Sequence, residues 1–345
     1  MQSIKQSGNA NFSRKSHSKV SKPLKDVTNI HKNDSKKKSA SKVNNKPVRA
    51  ESNNFNKILN NNSNTDQPKP IDLNINTKSL SQLNEIDKNN VSNIYECSEY
   101  AFEIYNYLQK YEAKHKNFLN AKYDFTEKMR STIVDWIIEV HIKFKSLPET
   151  LYLCLNYFDR FINLEKISKS RLQLVIITCL FLASKYEEIY PPEMKDFIYV
   201  TDKNVSQLDM IKCEKLILKQ LNFEICIPSI YRFLQRYSKL LSMDETTFYL
   251  SQYIAENQLI DTYKSKYTPS QIAAGSIYLA SVNRNLKPWN DLLFEQTGYN
   301  EKCVLEWAKD FKKSVDYVIK EGYKGLKKKF QNSKYQEVSN LKIEI

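Results

Sequence analysis

Glycine is scarce in this 345-residue sequence, and its absence from most of the chain excludes several kinds of enzyme. The five glycines stand at positions 8, 275, 298, 322 and 325, so none occurs between Asn9 and Ala274. Loops that cradle phosphate groups need glycine for tight turns and for close approach of the backbone to the ligand. A Walker loop, a dinucleotide fingerprint, a kinase glycine-rich loop and a Gly-x-Ser-x-Gly nucleophile elbow are therefore all absent. We expect neither catalytic residues nor a bound cofactor.

Paired cysteines and long apolar runs are missing as well. None of the six cysteines belongs to a Cys-x-x-Cys pair, and no histidine lies at zinc-ligand spacing from them. We therefore expect no metal site, and we predict reduced, partly buried cysteines in an intracellular protein. The first residues lack the apolar core of a secretory signal. The longest apolar run, Leu172–Ala183, is shorter than the roughly 20 residues that cross a bilayer, so no membrane partner is expected.

Positive charge is concentrated in the first part of the sequence. Residues 1–92 contain 17 Lys or Arg against 7 Asp or Glu, whereas the remaining residues contain 36 against 32. Residues 1–92 also contain two aromatic residues only, Phe12 and Phe55. Such a segment buries too little apolar surface to offset the entropy of ordering, so we predict a disordered basic regulatory tail. The near balance of charge in the remainder argues against a nucleic-acid-binding face.

Apolar residues recur with helical spacing from about residue 93 onward. They indicate a leading helix around Tyr100–Tyr111 and an opening helix at Lys128–Lys145. Further helical patterns cover residues 149–163, 169–187, 191–199, 206–221, 229–240, 244–261, 269–283, 288–296 and 300–318. The run 172–183 is apolar on nearly all sides, which is typical of the central helix of a bundle. No alternating strand pair is evident, so we predict an all-α fold.

A weak internal repeat divides the helical part in two. The residues of Leu182–Ser184 recur as Leu279–Ser281, 97 positions later. A spacing of this size corresponds to about one five-helix unit. We therefore predict two tandem five-helix units. Residues 93–226 would form the first unit with its leading helix, and residues 227–345 would form the second unit and a C-terminal extension.

Several motifs resemble the cyclin box. Met129–His141 is similar to its opening helix, and Leu182–Glu193 is similar to the end of its third helix and the start of its fourth. The similarity continues at Phe197–Asp202, Tyr267–Ala274 and Thr297–Tyr299. It covers about residues 93–345 and is closest to mitotic cyclins of the B type, or of the A and B types together. The resemblance implies a non-catalytic subunit that binds and activates a cyclin-dependent serine/threonine protein kinase in G2 and mitosis.

The resemblance also implies a kinase-binding site around one ion pair. Lys185 matches a kinase-contacting lysine of the family, and Glu214 matches the glutamate that works with it. The apolar positions that match further kinase contacts are Leu182, Leu218, Phe223, Ile104 and Tyr107. Taken alone, Lys185 also fits a plainer role, because a cation complements the negative end of its own helix by about 0.3–1 kcal/mol.

The spacing gives independent support for the pairing. Glu214 shares a helical stripe with Ile211 and Leu218, and an unpaired carboxylate on an apolar face would be costly. In the second unit the position opposite Lys185 is Val282, and the position opposite Glu214 falls near Phe311. We therefore predict that the main kinase contact is built on the first unit only.

A second site is implied on the opening helix. Met129, Ile133 and Trp136 match an apolar patch of the family, with Glu139 and Gln173 at its polar edge. In the family this patch docks Arg-x-Leu motifs of substrates and inhibitors. An apolar groove accepts the leucine and an acidic side chain accepts the arginine.

The opening helix departs from the family pattern at two positions. Ser131 and Thr132 stand where alanine and a bulkier aliphatic residue are usual, and a threonine hydroxyl in the groove is expected to weaken docking. Arg130 and Asp135 are expected to tie the helix to its neighbours rather than to bind a partner.

Two short motifs lie in the basic tail. Pro23–Asn29 resembles the end of a destruction box, with Leu24 and Asn29 at the family's separation and Ser21 where an arginine is usual. This resemblance implies recognition by the anaphase-promoting ubiquitin ligase. Lys36–Lys38 fits a weak nuclear-import signal as well as a solvated charge run. We expect the protein in both nucleus and cytoplasm.

Other functional classes remain as alternatives. A transcription-type cyclin or a cyclin-fold transcription factor would share the helical repeat. The transcription factor usually has a zinc ribbon and a basic face on its folded part, and this sequence has neither. An enzyme would need a phosphate loop or a metal cluster, and the neighbouring acids Glu187 and Glu188 point in different directions on a helix.

Overall fold

The computed structural model describes residues 84–115, 126–202, 204–261 and 266–345, and the regular elements in these ranges are helices. In chain order the helices are α1 (Glu85–Asn89), α2 (Ala101–Glu112), α3 (Glu127–Phe144), α4 (Pro148–Leu164), α5 (Leu172–Glu187), α6 (Met194–Val200), α7 (Gln207–Gln220), α8 (Ile230–Leu240), α9 (Glu245–Ile260), α10 (Pro269–Asn283), α11 (Asp291–Thr297), α12 (Glu301–Glu321) and α13 (Gly325–Phe330).

The helices from α3 to α12 form two units of five with the same order. Corresponding helices keep the predicted spacing in the middle of each unit. Helices α5 and α10 begin at Leu172 and Pro269, and helices α6 and α11 begin at Met194 and Asp291. The predicted tandem repeat of five-helix units is therefore confirmed.

Each unit is built around its third helix. In α5 every residue from Val175 to Ser184 is buried, and in α10 every residue from Ala273 to Ser281 is buried. Helix α5 packs against α4 and α7, and α10 packs against α8, α9 and α12. A helix that is apolar on all sides gains most by this central position. The charges at the end of α5 therefore emerge where the helix leaves the core.

Two helices begin three residues later than predicted. Patterns were predicted to start at residues 191 and 288, whereas α6 starts after its cap Glu193 and α11 after its cap Asn290. The prolines keep the connection extended, because a residue before proline avoids the helical region. Glu193 and Asp196 then form a reciprocal capping box, which fixes the true start of α6.

The predicted disorder of residues 1–92 is wrong for its last part. Helix α1 is capped by Asn84, whose side chain accepts a bond of 2.8 Å from the backbone N–H of Asp87. Asp87 is 4% exposed and accepts two bonds, of 2.6 and 2.8 Å, from Arg236 of α8. A buried bidentate pair of this kind anchors the segment to the second unit. Its few apolar residues show no helical period, so sequence patterning missed it.

The leading helix α2 packs on the second unit. Gln109 donates a bond of 2.9 Å to the backbone carbonyl of Thr297. The buried carboxylate of Glu112 accepts from the backbone N–H of Ser270 at 2.9 Å and from the Ser270 hydroxyl. These contacts fix one face of α2 against α10 and α11, which leaves its opposite face available for other contacts.

The opening helix α3 ties the two units together, as predicted for Arg130. Its guanidinium donates to both oxygens of Asp159 in α4, at 2.8 and 2.6 Å, and to the carbonyl of Leu259 in α9 at 3.0 Å. The neighbouring Ser131 hydroxyl donates to the carbonyl of Ile260 at 2.8 Å. Arg130 and Ser131 of the first unit thus provide hydrogen-bond donors for the last carbonyl groups of α9 in the second unit.

The C-terminal extension is held by both units. Asp135 of α3 accepts bonds from the backbone N–H groups of Lys324 and Gly325, at 3.1 and 2.9 Å, and so caps the start of α13. Lys329 of α13 is buried and donates to both oxygens of Glu256 in α9, at 2.6 and 2.7 Å. The prediction that Asp135 ties α3 to a neighbour is confirmed, and that neighbour is the extension.

Candidate functional site

The ion pair between Lys185 and Glu214 lies at the surface where α5 ends beside α7. The Lys185 ammonium contacts Glu214 and lies 4.4 Å from the ring centroid of Phe181. The side chains of Lys185 and Glu214 are 40% and 15% exposed. A carboxylate and an aromatic ring thus hold the cation in place at the edge of the bundle. The pair remains accessible to another molecule.

The helical stripe that carries Glu214 lies at the surface of the bundle, with Leu218 at the edge of the core. Ile211 is 46% exposed and Leu218 is half-buried. The core side of α7 consists instead of Met210, Cys213 and Ile217. The apolar face inferred from the spacing is therefore a surface feature. Contiguous exposed apolar side chains mark an interaction surface more often than a structural need.

The turn after α7 presents Phe223 to solvent. Asn222 and Phe223 both have positive φ, 51° and 58°, and Phe223 is 71% exposed. Its N–H donates to the carbonyl of Leu218 at 2.9 Å, which closes the turn. A left-handed conformation is unfavourable for an aromatic residue, and so is leaving its ring in water. Local strain combined with apolar exposure points to a functional surface.

Helix α2 brings a second group of apolar side chains to this surface. Ile104 is 39% exposed and Tyr107 is 44% exposed, and Tyr107 stacks on Tyr111 at 5.8 Å between ring centroids. Partial burial and then the nearby carboxylate of Glu224 raise the pKa of Tyr111. Helix α2 therefore lies beside the segment that follows α7.

The end of α5 reaches the same segment. A hydrogen bond between Cys226 and Tyr186, followed by partial burial, raises the pKa of Tyr186 to about 12. Tyr186 itself is 44% exposed. Helix α2, the end of α5 and the segment after α7 thus converge. Of the predicted kinase contacts, Leu182 differs from the rest, because it is 5% exposed and belongs to the core beneath Lys185.

Sequence analysis missed two apolar side chains next to this surface. Ile189 and Tyr190 follow α5 and are 86% and 92% exposed. The signal was present, because an apolar pair directly before Pro191 and Pro192 has no helix in which to be buried. We name the whole area the α5–α7 surface. It consists of Lys185, Tyr186, Ile189, Tyr190, Ile211, Glu214, Leu218, Phe223, Ile104 and Tyr107.

The second unit lacks this ion pair, as predicted, although one of the equivalent residues was misassigned. The connection before α7 spans residues 201–206, whereas the connection before α12 spans only residues 298–300. The helix caps Ser206 and Asn300 therefore correspond, and Glu214 corresponds to Ala308 rather than to Phe311. Ala308 is fully buried. The shorter connection shifts α12 by about one turn relative to the repeat.

The predicted docking patch on α3 lies between α5 and the C-terminal extension. Ile133 and Trp136 are 2% and 9% exposed, and Met129 is half-buried. The half-buried side chains of Glu139 and Gln173 stand at its edge. The Nε2 group of Gln173 is buried and has no hydrogen-bond partner within the described residues. A buried donor without a partner is costly unless a bound molecule satisfies it.

The two departures from the family pattern have different consequences. Ser131 is buried against the second unit, so it is not part of the patch. The Thr132 hydroxyl donates to the carbonyl of Lys128 at 2.7 Å, within its own helix. A hydroxyl that already has a hydrogen-bond partner costs less to desolvate than an unpaired one. Thr132 should therefore weaken peptide docking less than an unpaired hydroxyl would.

Within the described ranges, no group of three or more His, Cys, Asp or Glu is placed to hold a metal ion. No helix in the same ranges combines the length and apolar character needed to cross a bilayer. All six cysteines are free, with Cys154, Cys179 and Cys213 buried and the other three exposed.

Comparisons with known proteins agree with this architecture. The family model "Cyclin, N-terminal domain" matches residues 103–226, and "Cyclin, C-terminal domain" matches residues 228–344. The G2/mitotic-specific cyclin-A of Patella vulgata is 38% identical over 251 residues, which cover 70% of this chain and 58% of that protein. The human G2/mitotic-specific cyclin-B2 is 37% identical over 267 residues, which cover 76% of this chain and 67% of that protein.

A solved structure supports the fold alone. The viral cyclin from herpesvirus saimiri is similar with a TM-score of 0.55 and 20% sequence identity, over 60% of this chain and 96% of that chain. Relatives of both the A and the B type match at 35–39% identity, as the resemblance to mitotic cyclins of these types implies. Two tandem family domains, their helical architecture and these relatives agree. The chain belongs to the cyclin family.

Proposed function

We propose that this chain is the non-catalytic regulatory subunit of a cyclin-dependent serine/threonine protein kinase and acts in G2 and mitosis. The observation that carries the proposal is the α5–α7 surface. Its apolar side chains surround a partly exposed ion pair, and they are held outward by rigid helices and by the strained turn at Phe223. A surface fixed before binding loses little entropy when a partner covers it.

The geometry suggests how such contact activates a kinase. A protein kinase needs its own Lys–Glu ion pair formed and its activation loop ordered. A rigid five-helix unit that presses on the kinase can stabilise that arrangement without supplying any catalytic group. When the partner excludes water, the attraction between Lys185 and Glu214 grows stronger, and a mismatched partner would leave these charges unsatisfied. The ion pair thus favours a specific partner.

The proposal is tested by adding the full chain to a panel of purified cell-cycle kinases and measuring phosphorylation of a histone-type substrate. We expect at least one kinase to require the chain for activity and to copurify with it as a heterodimer. The proposal would be contradicted if no cell-cycle kinase in the panel became active when the chain was added. Stimulation of transcriptional kinases alone would favour the transcription-type alternative.

We also propose that the α3 patch docks Arg-x-Leu motifs of substrates or inhibitors. The supporting features are the apolar Met129, Ile133 and Trp136, the acidic Glu139 and the unpartnered donor of Gln173. A labelled Arg-x-Leu peptide should bind the chain, and Gln173→Ala should weaken it because a buried hydrogen bond to the peptide is lost. Equal binding by a peptide with alanine in place of the leucine would refute docking.

The tail motifs lead to two further proposals about turnover and location. We propose recognition of Leu24 and Asn29 by the anaphase-promoting ubiquitin ligase, and residence in both nucleus and cytoplasm. These motifs lie outside the described residues. Leu24→Ala should prolong the half-life of the protein through mitotic exit, and an unchanged half-life would exclude the degron. Replacing Lys36–Lys38 by glutamine should lower the nuclear fraction seen by fluorescence microscopy.

A further inference from the structure

A row of lysines lies along the C-terminal extension beside the α3 patch. Lys324, Lys327 and Lys328 are exposed, and none forms an ion pair within the described part of the chain. The remaining lysine of α13, Lys329, is buried against Glu256 instead. The extension therefore buries one cation as an anchor and leaves three at the surface.

The packing of α13 on α3 fixes where these lysines lie. A side chain at Gly325 would approach the Asp135 carbonyl oxygen to 2.5 Å and Glu139 Cγ to 3.1 Å, so the first turn of α13 lies directly on α3. At about 100° per residue, Lys324 and Lys328 flank the side of α13 that Gly325 turns toward α3, whereas Lys327 faces away from α3. Lys324 and Lys328 thus lie within about one helical turn of the docking edge at Glu139.

Helix α3 adds a fourth cation on the same side. Thr132, Glu139 and Lys143 are seven and four residues apart, so they share one edge of α3. This edge lies between Trp136 and the residues that touch α13. Lys143 is exposed and lies 5.2 Å from the ring centroid of Tyr199, without an ion pair in the described ranges. The patch therefore has lysines along α13 and at the end of its α3 edge.

We propose that the α3 patch selects docking peptides whose flanking residues are acidic or phosphorylated, with Lys324, Lys328 and Lys143 contacting the flank. This inference rests on the docking function proposed above and specifies its partner. Charge complementarity supports it, because three unpaired ammonium groups border a groove whose own acid, Glu139, is suited to the arginine of the motif. Direct continuity with an apolar groove favours a peptide over a nucleic acid as the partner.

The test compares two fluorescent Arg-x-Leu peptides that differ only in the flank, acidic residues in one and their amides in the other. Fluorescence anisotropy with the full chain should show tighter binding of the acidic peptide at low salt, and the difference should shrink at high salt. Exposed charge pairs contribute little each, so Lys324→Gln with Lys328→Gln should weaken binding of the acidic peptide by about three- to tenfold. The amide peptide should be unaffected.

The matched control is Lys302→Gln with Lys309→Gln, which removes the same charge from the exposed side of α12. This control should leave both peptides unchanged. Equal affinity of the two peptides for the unaltered chain would overturn the selectivity while leaving docking intact. Failure of both peptides to bind would overturn docking as well, and the kinase-activation assay would still test the regulatory function independently. The inference would also be overturned if the unaltered chain bound duplex DNA or RNA, and the lysine variant lost that binding while it still bound the acidic peptide.

Discussion

The two five-helix units share a helix order, yet they differ at the end of their central helix. In the first unit the last turn of α5 carries the accessible Lys185, whereas in the second unit the last turn of α10 carries Val282 and Asn283. Both polar atoms of Asn283 bond the backbone of Glu344, each at 2.7 Å. The chain's own C-terminal end thus occupies the end of α10. In the part of the chain that the structure describes, backbone groups of Glu344 therefore cover the end of α10, whereas the end of α5 stays accessible.

The fifth helices differ in the same sense. Glu214 of α7 is a surface acid paired with Lys185, whereas its counterpart Ala308 of α12 is buried. Phe311, one turn further along α12, packs against Gly275 of α10. In the second unit, the corresponding side of the fifth helix is therefore part of the core. The same helix order thus presents a binding surface in the first unit and buried packing in the second.

The largest expected effect comes from exchanging these counterparts. Ala308→Glu places a carboxylate in a fully buried position without a cation, and it should cost about 4 kcal/mol of unfolding free energy or more. Glu214→Ala should cost about 1 kcal/mol or less, because its partner Lys185 is 40% exposed. Urea unfolding of both variants measures the difference. Similar urea midpoints for the two variants would contradict the assignment of Ala308 to the core and of Glu214 to the surface.

The next effect concerns the anchor that joins the extension to the second unit. Glu256→Ala leaves Lys329 buried without a counter-ion, which should cost about 3–5 kcal/mol. Replacing both residues, Glu256→Leu with Lys329→Met, should restore most of the loss because no charge then remains buried. Thermal unfolding distinguishes these cases. If the single variant were as stable as the unaltered chain, the buried pair would not anchor α13.

A smaller effect should follow from filling the second core. A Cβ at Gly275 would lie 2.4 Å from Phe311 Cε2, so Gly275→Ala should cost about 1–3 kcal/mol through overpacking. The counterpart in the first unit is Thr178, which is buried without such a conflict. Phe311→Leu in the same chain should reduce the cost of Gly275→Ala, and a double-mutant cycle measures that coupling. Additive effects would argue against the contact.

The smallest expected effect is a pH dependence confined to the first unit. Burial, and secondly the nearby cation of Lys329, lower the pKa of His141 from 6.5 to about 3. The Nε2 atom of His141 lies 2.8 Å from the carbonyl of Leu147, and the counterpart of His141 in α8 is Ser238, which does not titrate in this range. The folded chain therefore keeps this histidine neutral.

The sign of the effect follows from that depressed pKa. Because only the unfolded chain binds this proton below pH 6.5, stability is complete above that pH and declines as the pH falls toward 3. The loss between about pH 7 and pH 5.5 should be about 1.2 kcal/mol. Burial raises the pKa of Asp135 and of Glu149, which acts in the opposite direction at lower pH. His141→Gln should remove the histidine contribution in urea titrations at the two pH values. An unchanged slope would assign the pH dependence to other groups.

Much of the fold could be predicted from local physical signals. The continuous apolar run of α5 and the repeat at Leu182–Ser184 and Leu279–Ser281 predicted the central helices and the two units. Helix starts next to proline were less predictable, because the capping side chains Glu193 and Asn290 decide them rather than the prolines. Helix α1 depends on the buried contact between Asp87 and Arg236 of α8, which is distant in sequence. No local sequence pattern can reveal such a contact.

The site was predictable where its motifs resemble those of a known family. The resemblance paired Lys185 with Glu214, and the stripe that Glu214 shares with Ile211 and Leu218 supported the pairing. The outward direction of the Ile211 stripe was not predictable, because spacing defines a face without saying which side the core occupies. The mismatch at Phe311 arose from a connection three residues shorter, which a fixed repeat length cannot represent.

The central claim is that the α5–α7 surface of the first unit binds the kinase. The most direct test is the dissociation constant for the kinase of the full chain carrying Lys185→Ala with Glu214→Ala, compared with Lys312→Ala and Asp316→Ala, an exposed ion pair on α12. Circular dichroism and urea unfolding must show both variants folded. We predict that the first variant loses affinity by about a hundredfold or more, as expected when a central charged pair of an interface is removed, and that the control retains it. Undiminished kinase binding by the folded Lys185/Glu214 variant would contradict the claim.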